Sequence, residues 1–258
     1  MNNKHYLEDQ NLSLAWARAL RLVGGRGRSE IVPLVVSVTG FDKLGQVAED
    51  NSIRSSIDAL LLREGKQTID TVANTIFPVA LWNPKQPRAF LFDRYARILP
   101  RLRKASRKNG RGIYFERFIT GGPVGHENQL DFAISTYQTR KGVRRSVLQA
   151  AVFNPGRDHS AAALLGFPCL QHVSFAPTDA GLAVNAFYAA QYLVERAYGN
   201  YLGLCRLGQF VAHELGLPLV RMTCFTGIAE CDMTKAKISD VLSEISRVLG
   251  PDEEEGIK

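Results

Sequence analysis

Residues 168–226 of the chain read PCLQHVSFAPTDAGLAVNAFYAAQYLVERAYGNYLGLCRLGQFVAHELGLPLVRMTCFT. Runs rich in β-branched and aromatic residues at 169–175, 181–188 and 219–226 predict three strands. The long apolar segment 197–215 predicts a helix, with Gly216 as its C-terminal cap. Helices that bracket a mostly sequential set of strands indicate an α+β fold.

The sequence on either side of this stretch adds further helices and strands. Helices are predicted at 12–23, 50–63, 68–77, 89–105, 128–140 and 234–248, and strands at 31–38 and 146–153. Pro100 is expected to interrupt the helix at 89–105. Because no repeat or linker divides the chain, one domain is predicted over 1–250, followed by an acidic flexible tail at 251–258.

The composition limits the cellular setting. The net charge is +7, and four cysteines among 258 residues do not make a disulfide framework. No stretch approaches the roughly 20 apolar residues that a membrane span needs. The first residues carry no apolar segment behind their charges, so no signal peptide is predicted. We therefore expect a reduced, cytoplasmic protein with no membrane partner.

Much of the positive charge is concentrated between residues 94 and 117. The cationic residues of this segment are Arg94, Arg97, Arg101, Arg103, Lys104, Arg107, Lys108, Arg111 and Arg117. The segment is either a solvated helix face or a surface that contacts phosphate groups or nucleic acid, and the sequence leaves both interpretations open.

Three local signals indicate a reactive pocket around Cys169. The pair Pro168-Cys169 places a thiol at the junction of a loop and a strand. Arg144 and Arg145 precede a neighbouring strand and offer two fixed positive charges suited to a phosphate. Asn200 stands near the start of the long helix, where an amide can meet a polar ring edge or an anion.

In this order and spacing, these residues resemble the thymidylate synthases and the related pyrimidine hydroxymethylases. A double arginine, a Pro-Cys pair and a downstream asparagine follow one another in that family, and the spacing from cysteine to asparagine here, 200 − 169 = 31, matches it without a gap. The resemblance covers roughly residues 110–232 and extends weakly to Arg28-Ser29 and the strand that follows.

The resemblance implies a fold, a mechanism and a set of site residues. The fold would be thymidylate synthase-like, with a mixed β-sheet core covered by helices and one sheet face at a homodimer interface. A cysteine thiolate would add to C6 of a pyrimidine nucleotide, so that C5 can attack a one-carbon electrophile. The implied roles are Cys169 as nucleophile, Asn200 at the ring edge, Tyr114 in proton transfer at C5, Arg28, Arg144 and Arg145 at the phosphate with the last two reaching across from the second subunit, and Glu230 and Asp232 at the sugar end.

Several positions depart from the family. Ala189 stands in place of an arginine that lowers the pKa of the cysteine, and Tyr192 replaces an aspartate that helps to seat the folate. Leu170 replaces the histidine beside the cysteine, and Asn74 stands where the family has a glutamate, although an amide cannot act as a general base. These changes argue against ordinary folate-dependent methylation of dUMP. They leave the cofactor open, with a tetrahydrofolate derivative disfavoured.

Alternatives to this interpretation remain at this point. Cys169 could be a small buried residue, Asn200 could cap its helix, and the double arginine could be surface charge. The chain could also be a catalytically retired relative that binds a nucleotide or a nucleic acid as a sensor or scaffold, or an enzyme that acts on a polynucleotide. Cys224 and Cys231 lack close metal-ligand spacing, and no metal site is predicted.

Overall fold

A computed structural model describes residues 5–25, 29–122, 125–159 and 168–250. Within these ranges seven strands form one mixed sheet in the order β1-β3-β7-β6-β5-β4, with β2 paired to β7. The strands are β1 (Tyr6–Asp9), β2 (Glu30–Ile31), β3 (Leu34–Val38), β4 (Gln149–Ala151), β5 (Leu170–Thr178), β6 (Gly181–Tyr192) and β7 (Leu219–Glu230). The predicted α+β class, with a mixed sheet covered by helices, is confirmed.

The helices are connected by short turns and supply most of the remaining core. They are α1 (Leu12–Leu20), α2 (Asn51–Arg63), α3 (Ile69–Ile76), α4 (Arg88–Ala105), α5 (Tyr114–Thr120), α6 (Gln129–Thr139), α7 (Pro155–Asp158), α8 (Tyr198–Leu215) and α9 (Ser239–Leu249). No helix in the described ranges is both long enough and apolar enough to cross a lipid bilayer. Arg28 and the acidic tail lie outside the described residues.

The strands β6 and β7 lie side by side and parallel, and α8 connects them. Both strands run four residues beyond the ends that the apolar pattern predicts. The backbone hydrogen bonds between them continue past the last residues at which apolar and polar side chains alternate. The pairing reaches Tyr192 opposite Glu230. The extension brings polar residues from two strands to the same end of the sheet.

Helix α8 is buried nearly all round, between the sheet and α3. Two glycines permit this close packing. A Cβ atom on Gly203 would lie 2.8 Å from the carbonyl oxygen of Ala73 on α3, and one on Gly208 would lie 2.6 Å from Val184 Cγ2 on β6. A side chain at either glycine would therefore force α8 away from α3 or from the sheet.

The opposite face of the sheet carries an exposed apolar row. Tyr6, Val35, Phe225, Phe187 and His172 follow one another across five strands in hydrogen-bonded register. Phe187 and Phe225 are 41% and 38% exposed, and their rings stack at 5.5 Å between centroids. An apolar row of this kind is typical of a surface that another protein covers.

Some predicted elements differ in the structure. Helix α4 is not interrupted at Pro100, because Pro100 and Ala96, whose carbonyl loses its helical partner, both lie on the exposed face where water replaces the missing hydrogen bond. The strand predicted over 31–38 is divided into β2 and β3 at Pro33, which has no N–H to give to the ladder.

The ends of three other elements also differ from the predicted ends. Residues 145–147 form a 3₁₀ turn, closed by the Val147 N–H on the Arg144 carbonyl at 3.0 Å, so the predicted strand shrinks to β4. Helix α1 ends at Leu20 and continues as a π turn, and α9 begins five residues later than its predicted start. These differences change lengths and not the order of elements.

Candidate functional site

A cavity of about 620 Å³ lies beside the ends of β6 and β7. Its size is in the range of pockets that bind small molecules. Four of the residues singled out in the sequence line it, namely Tyr114, Cys169, Asn200 and Glu230. They come from α5, the residue before β5, α8 and β7, so the tertiary fold brings together side chains that are far apart in the chain.

Cys169 lies at the junction of loop and strand, and its thiol is accessible. Its carbonyl oxygen accepts a hydrogen bond from the Ala189 N–H at 3.1 Å, which holds the residue against β6. Cys169 is exposed, whereas Cys205 and Cys224 are buried. The alternative that Cys169 is a small buried residue is therefore wrong.

The cavity walls determine the protonation of the Cys169 thiol. Partial burial raises its pKa above the ordinary 9.0, the Arg196 guanidinium lowers the pKa, and the Glu230 carboxylate raises it. The net pKa is raised, so the thiolate is a minor species at neutral pH. A ligand or a proton acceptor that stabilises the thiolate is needed for rapid nucleophilic attack.

Tyr114 is the first residue of α5 and contacts the backbone of Cys169. Burial raises the pKa of its phenol well above the ordinary value, the nearby Cys169 raises it further, and the backbone N–H groups of Leu170 and Cys169 act on the phenolic oxygen in the opposite direction. Its ring packs edge-to-face on Tyr188 with 6.5 Å between centroids. Tyr114 is therefore a neutral hydroxyl next to the thiol.

Asn200 is the third residue of α8 and is 4% exposed. The helix begins after Ala197 without any side-chain cap, so Asn200 does not serve as the N-cap. Its amide makes no hydrogen bond with the rest of the described chain and lines the cavity. The amide is therefore reached from the cavity, where a ligand or water can hydrogen-bond to it.

Two further buried polar groups, which the sequence did not indicate, line the cavity. Gln191 is 3% exposed, and Thr226 donates its hydroxyl hydrogen to Gln191 Oε1 at 3.2 Å. This bond leaves Gln191 Nε2 without a partner among the described residues, and the Tyr188 hydroxyl also lacks one. Gln191 Nε2 is thus an unpaired donor in the wall of the cavity.

Charged groups line the cavity on several sides. Arg196 donates from Nη1 to Gln67 Oε1 at 2.5 Å, which fixes its guanidinium. Glu195 also lines the cavity and forms an ion pair with Lys66, which does not line it. Arg196 stands four residues before Asn200, and this helical spacing is the signal that could have identified it. It supplies a cation near the thiol even though position 189 is alanine.

The other predicted residues lie elsewhere in this chain. Arg144 and Arg145 flank β4 at the edge of the sheet, away from the cavity lining, and Arg145 Nη1 donates to the Pro177 carbonyl at 3.3 Å. Asp232 accepts hydrogen bonds from the N–H groups of Val194 at 2.8 Å and Glu195 at 3.1 Å. It stabilises the turn before α8 and does not line the cavity.

Two residues that depart from the family pattern, Tyr192 and Asn74, lie differently with respect to the cavity. Tyr192 lines the cavity, where it occupies space that a smaller acid would leave open. Asn74 is exposed on α3, and its neighbour Thr75 lines the cavity instead. Among the described residues no group of three or more histidine, cysteine or acidic side chains is arranged to hold a metal ion.

A scan of the chain against models of known protein families found no match, and a search of curated proteins found none either.

Proposed function

We propose that this chain is a divergent thymidylate synthase-like enzyme that starts C5 chemistry on a pyrimidine nucleotide by adding Cys169 to C6. The observation that carries the proposal is that the exposed Cys169 lines a cavity whose wall also contains several polar side chains. Asn200 is buried there with no hydrogen bond from its side chain to another described residue, and Gln191 Nε2 has no partner among them, so the cavity wall offers polar groups to a ligand. A pyrimidine edge offers such groups.

The residues of the cavity have defined roles in this reaction. The Cys169 thiol loses its proton to solvent, and the thiolate sulfur forms a bond to C6. The electron pair of the C5–C6 double bond moves onto C5 and the adjacent carbonyl, where the Asn200 amide hydrogen-bonds the ring edge. C5 then bonds to a one-carbon electrophile and loses its proton, assisted by Tyr114 through ordered water. Finally the double bond re-forms and the C6–S bond breaks.

Debromination tests the first half of this reaction without any one-carbon donor. After Cys169 adds to C6 of a 5-bromo-pyrimidine nucleotide, C5 takes up a proton and an external thiolate removes the bromine from C5 as a sulfenyl bromide. The C5–C6 double bond then re-forms with loss of Cys169, and a second thiol converts the sulfenyl bromide to a disulfide and bromide. The wild-type chain should turn over 5-bromo-dUMP or 5-bromo-UMP, and Cys169→Ser should abolish turnover. Asn200→Ala, which removes the ring-edge contact but keeps the thiol, should lower kcat/KM by about tenfold or more.

A catalytically retired nucleotide sensor is the second candidate, and the raised pKa of the Cys169 thiol favours it. A sensor needs the cavity but not the nucleophile. It would bind nucleotides, seen as a rise in melting temperature with ligand concentration, without releasing bromide from any ribo- or deoxynucleotide. Equal nucleotide affinity of the wild type and Cys169→Ser, with no debromination by either, would support the sensor.

A homodimer is part of the proposal, and the exposed apolar row across the sheet supports it. Burial of this row would remove Phe187 and Phe225 from water and bring the β4 edge of each chain, with Arg144 and Arg145, toward its partner. Sedimentation should show a dimer that Phe225→Asp converts to a monomer. Mixing inactive Cys169→Ser with an Arg144→Ala/Arg145→Ala variant should restore debromination if the arginines act across the interface.

Catalysis on a polynucleotide has weaker support. Within the basic segment, Arg94 donates to the Leu81 carbonyl, Arg103 pairs with Glu116, and Arg117 pairs with Asp158. These side chains serve the fold and are not available to a phosphate backbone. An affinity for single-stranded nucleic acid that falls steeply with salt would favour this alternative.

A further inference from the structure

Two arginines of the basic segment face the cavity. Arg107 and Arg111 are the ends of a 3₁₀ turn between α4 and α5, and both line the cavity with exposed side chains. Neither guanidinium has a hydrogen bond or an ion pair with another described residue. Arginine groups that are held near a concave polar site without a counter-charge commonly bind anions.

Two hydrogen bonds from side chains to carbonyl oxygens hold the backbone of this turn in place. Asn109 Nδ2 donates to the Leu102 carbonyl at 2.7 Å, which fixes the turn to the end of α4. The buried Arg117 donates from Nη2 to the Arg111 carbonyl at 3.2 Å. Both anchors act on the main chain and leave the Arg107 and Arg111 side chains free to meet a ligand, so little ordering of the backbone is needed when an anion binds.

The charge balance of the cavity favours a dianion. Among the lining residues, Arg107, Arg111 and Arg196 contribute three positive charges, and Glu195 and Glu230 contribute two negative charges. Lys66, just outside the lining, forms an ion pair with Glu195. With Lys66 included, the sum 3 + 1 − 2 = +2 matches a phosphate monoester, which carries close to two negative charges at neutral pH. Coulomb attraction across a partly enclosed cavity is stronger than it is in open water.

We propose that Arg107 and Arg111 form a phosphate subsite in the same cavity as Cys169, so that the ligand of this cavity is a phosphate monoester. This inference rests on the proposed function, since it names the charged end of the ligand whose ring lies at Cys169 and Asn200. The cavity volume of about 620 Å³ suits a mononucleotide. The 5′-terminal phosphate of an oligonucleotide offers the same chemistry.

The test compares ligands with and without the phosphate. Calorimetric titration of the wild type and Arg107→Ala/Arg111→Ala with dUMP, UMP, deoxyuridine and uridine separates the phosphate end from the ring end. The double variant should bind the monophosphates about tenfold or more weakly and the nucleosides equally well. An Arg101→Ala/Lys104→Ala variant removes the same charge from α4, outside the cavity lining, and should leave monophosphate affinity within about twofold.

The outcomes separate the two proposals. Equal loss of monophosphate affinity in both charge-removal variants would overturn the subsite, because only the general field would then act. Monophosphate affinity that does not change in Arg107→Ala/Arg111→Ala would overturn it too, while debromination dependent on Cys169 would leave the proposed function standing. Failure of the wild type to bind any nucleotide or nucleoside would overturn both. A 5′-phosphorylated oligonucleotide that binds more tightly than dUMP, with the same dependence on the two arginines, would assign the subsite to a nucleic-acid terminus.

Discussion

The buried ion pair between Arg117 and Asp158 provides a stringent test of the fold. Arg117 on α5 and Asp158 on α7 have side chains that are only 4% and 5% exposed. Arg117 Nη2 donates to Asp158 Oδ1 at 2.6 Å, and Nη1 donates to Oδ2 at 3.2 Å. Asp158 Oδ2 also accepts from the Asn154 N–H at 2.8 Å. The pair thus connects α5, which carries Tyr114, to the segment after β4.

Asp158→Ala removes the carboxylate with which the buried Arg117 guanidinium forms its ion pair. Breaking one side of a buried pair costs about 3–5 kcal/mol, which is much more than the pair contributes over an apolar replacement. For a chain of this size, the melting temperature should fall by roughly 6–20 °C. Urea unfolding followed by tryptophan fluorescence should show a lower midpoint with an unchanged m-value.

Two controls define what the experiment shows. Replacing both partners, as Arg117→Met/Asp158→Leu, removes the uncompensated charge and should recover most of the lost stability. Asp179→Ala changes an exposed residue in the turn between β5 and β6 and should alter stability by less than about 0.5 kcal/mol. A loss below about 1 kcal/mol for Asp158→Ala, or a double variant as unstable as the single one, would refute the reasoning.

Three further predictions concern the packing, capping and electrostatics of the chain. Gly203→Ala should reduce the free energy of unfolding by about 1–2 kcal/mol, because the clash with α3 outweighs the gain in helix propensity; unchanged stability in urea would contradict the close packing. Asp50→Ala should cost about 1 kcal/mol at neutral pH through loss of the α2 N-cap. The hydrogen bond from the Ile53 N–H holds the pKa of Asp50 below its ordinary 3.8, so this deficit should vanish as the pH falls through the lower folded-state pKa; a deficit that persists in acid would contradict the cap. Arg196→Met should slow iodoacetamide modification of Cys169 near neutral pH, because loss of the guanidinium raises the thiol pKa further, whereas Arg196→Lys should retain most of the rate; equal rates in all three proteins, measured by mass spectrometry, would show that Arg196 does not act on the thiol.

Local sequence patterns were sufficient for the main elements. The apolar spacing of α8 and the alternation in β6 and β7 reflect burial along one element, and a short window records that burial except at the last four residues of each strand. The candidates Cys169 and Asn200 were singled out by their places near the start of a strand and of a helix, and by the resemblance to the thymidylate synthases. Pro100 misled the prediction because a proline's effect depends on whether the freed carbonyl faces water, which a window does not record.

The composition of the cavity depended on contacts between distant segments. Glu230 and Asp232 stand two residues apart and looked equivalent in the sequence. The parallel pairing of β6 with β7 ends at Glu230, so Glu230 remains beside the cavity while the chain turns and Asp232 binds the backbone N–H groups before α8. Gln191 and Arg107 became site residues for the same reason. Which side chains meet in a cavity follows from strand register and from the way helices pack across the sheet, and both are set by the free energy of the whole core.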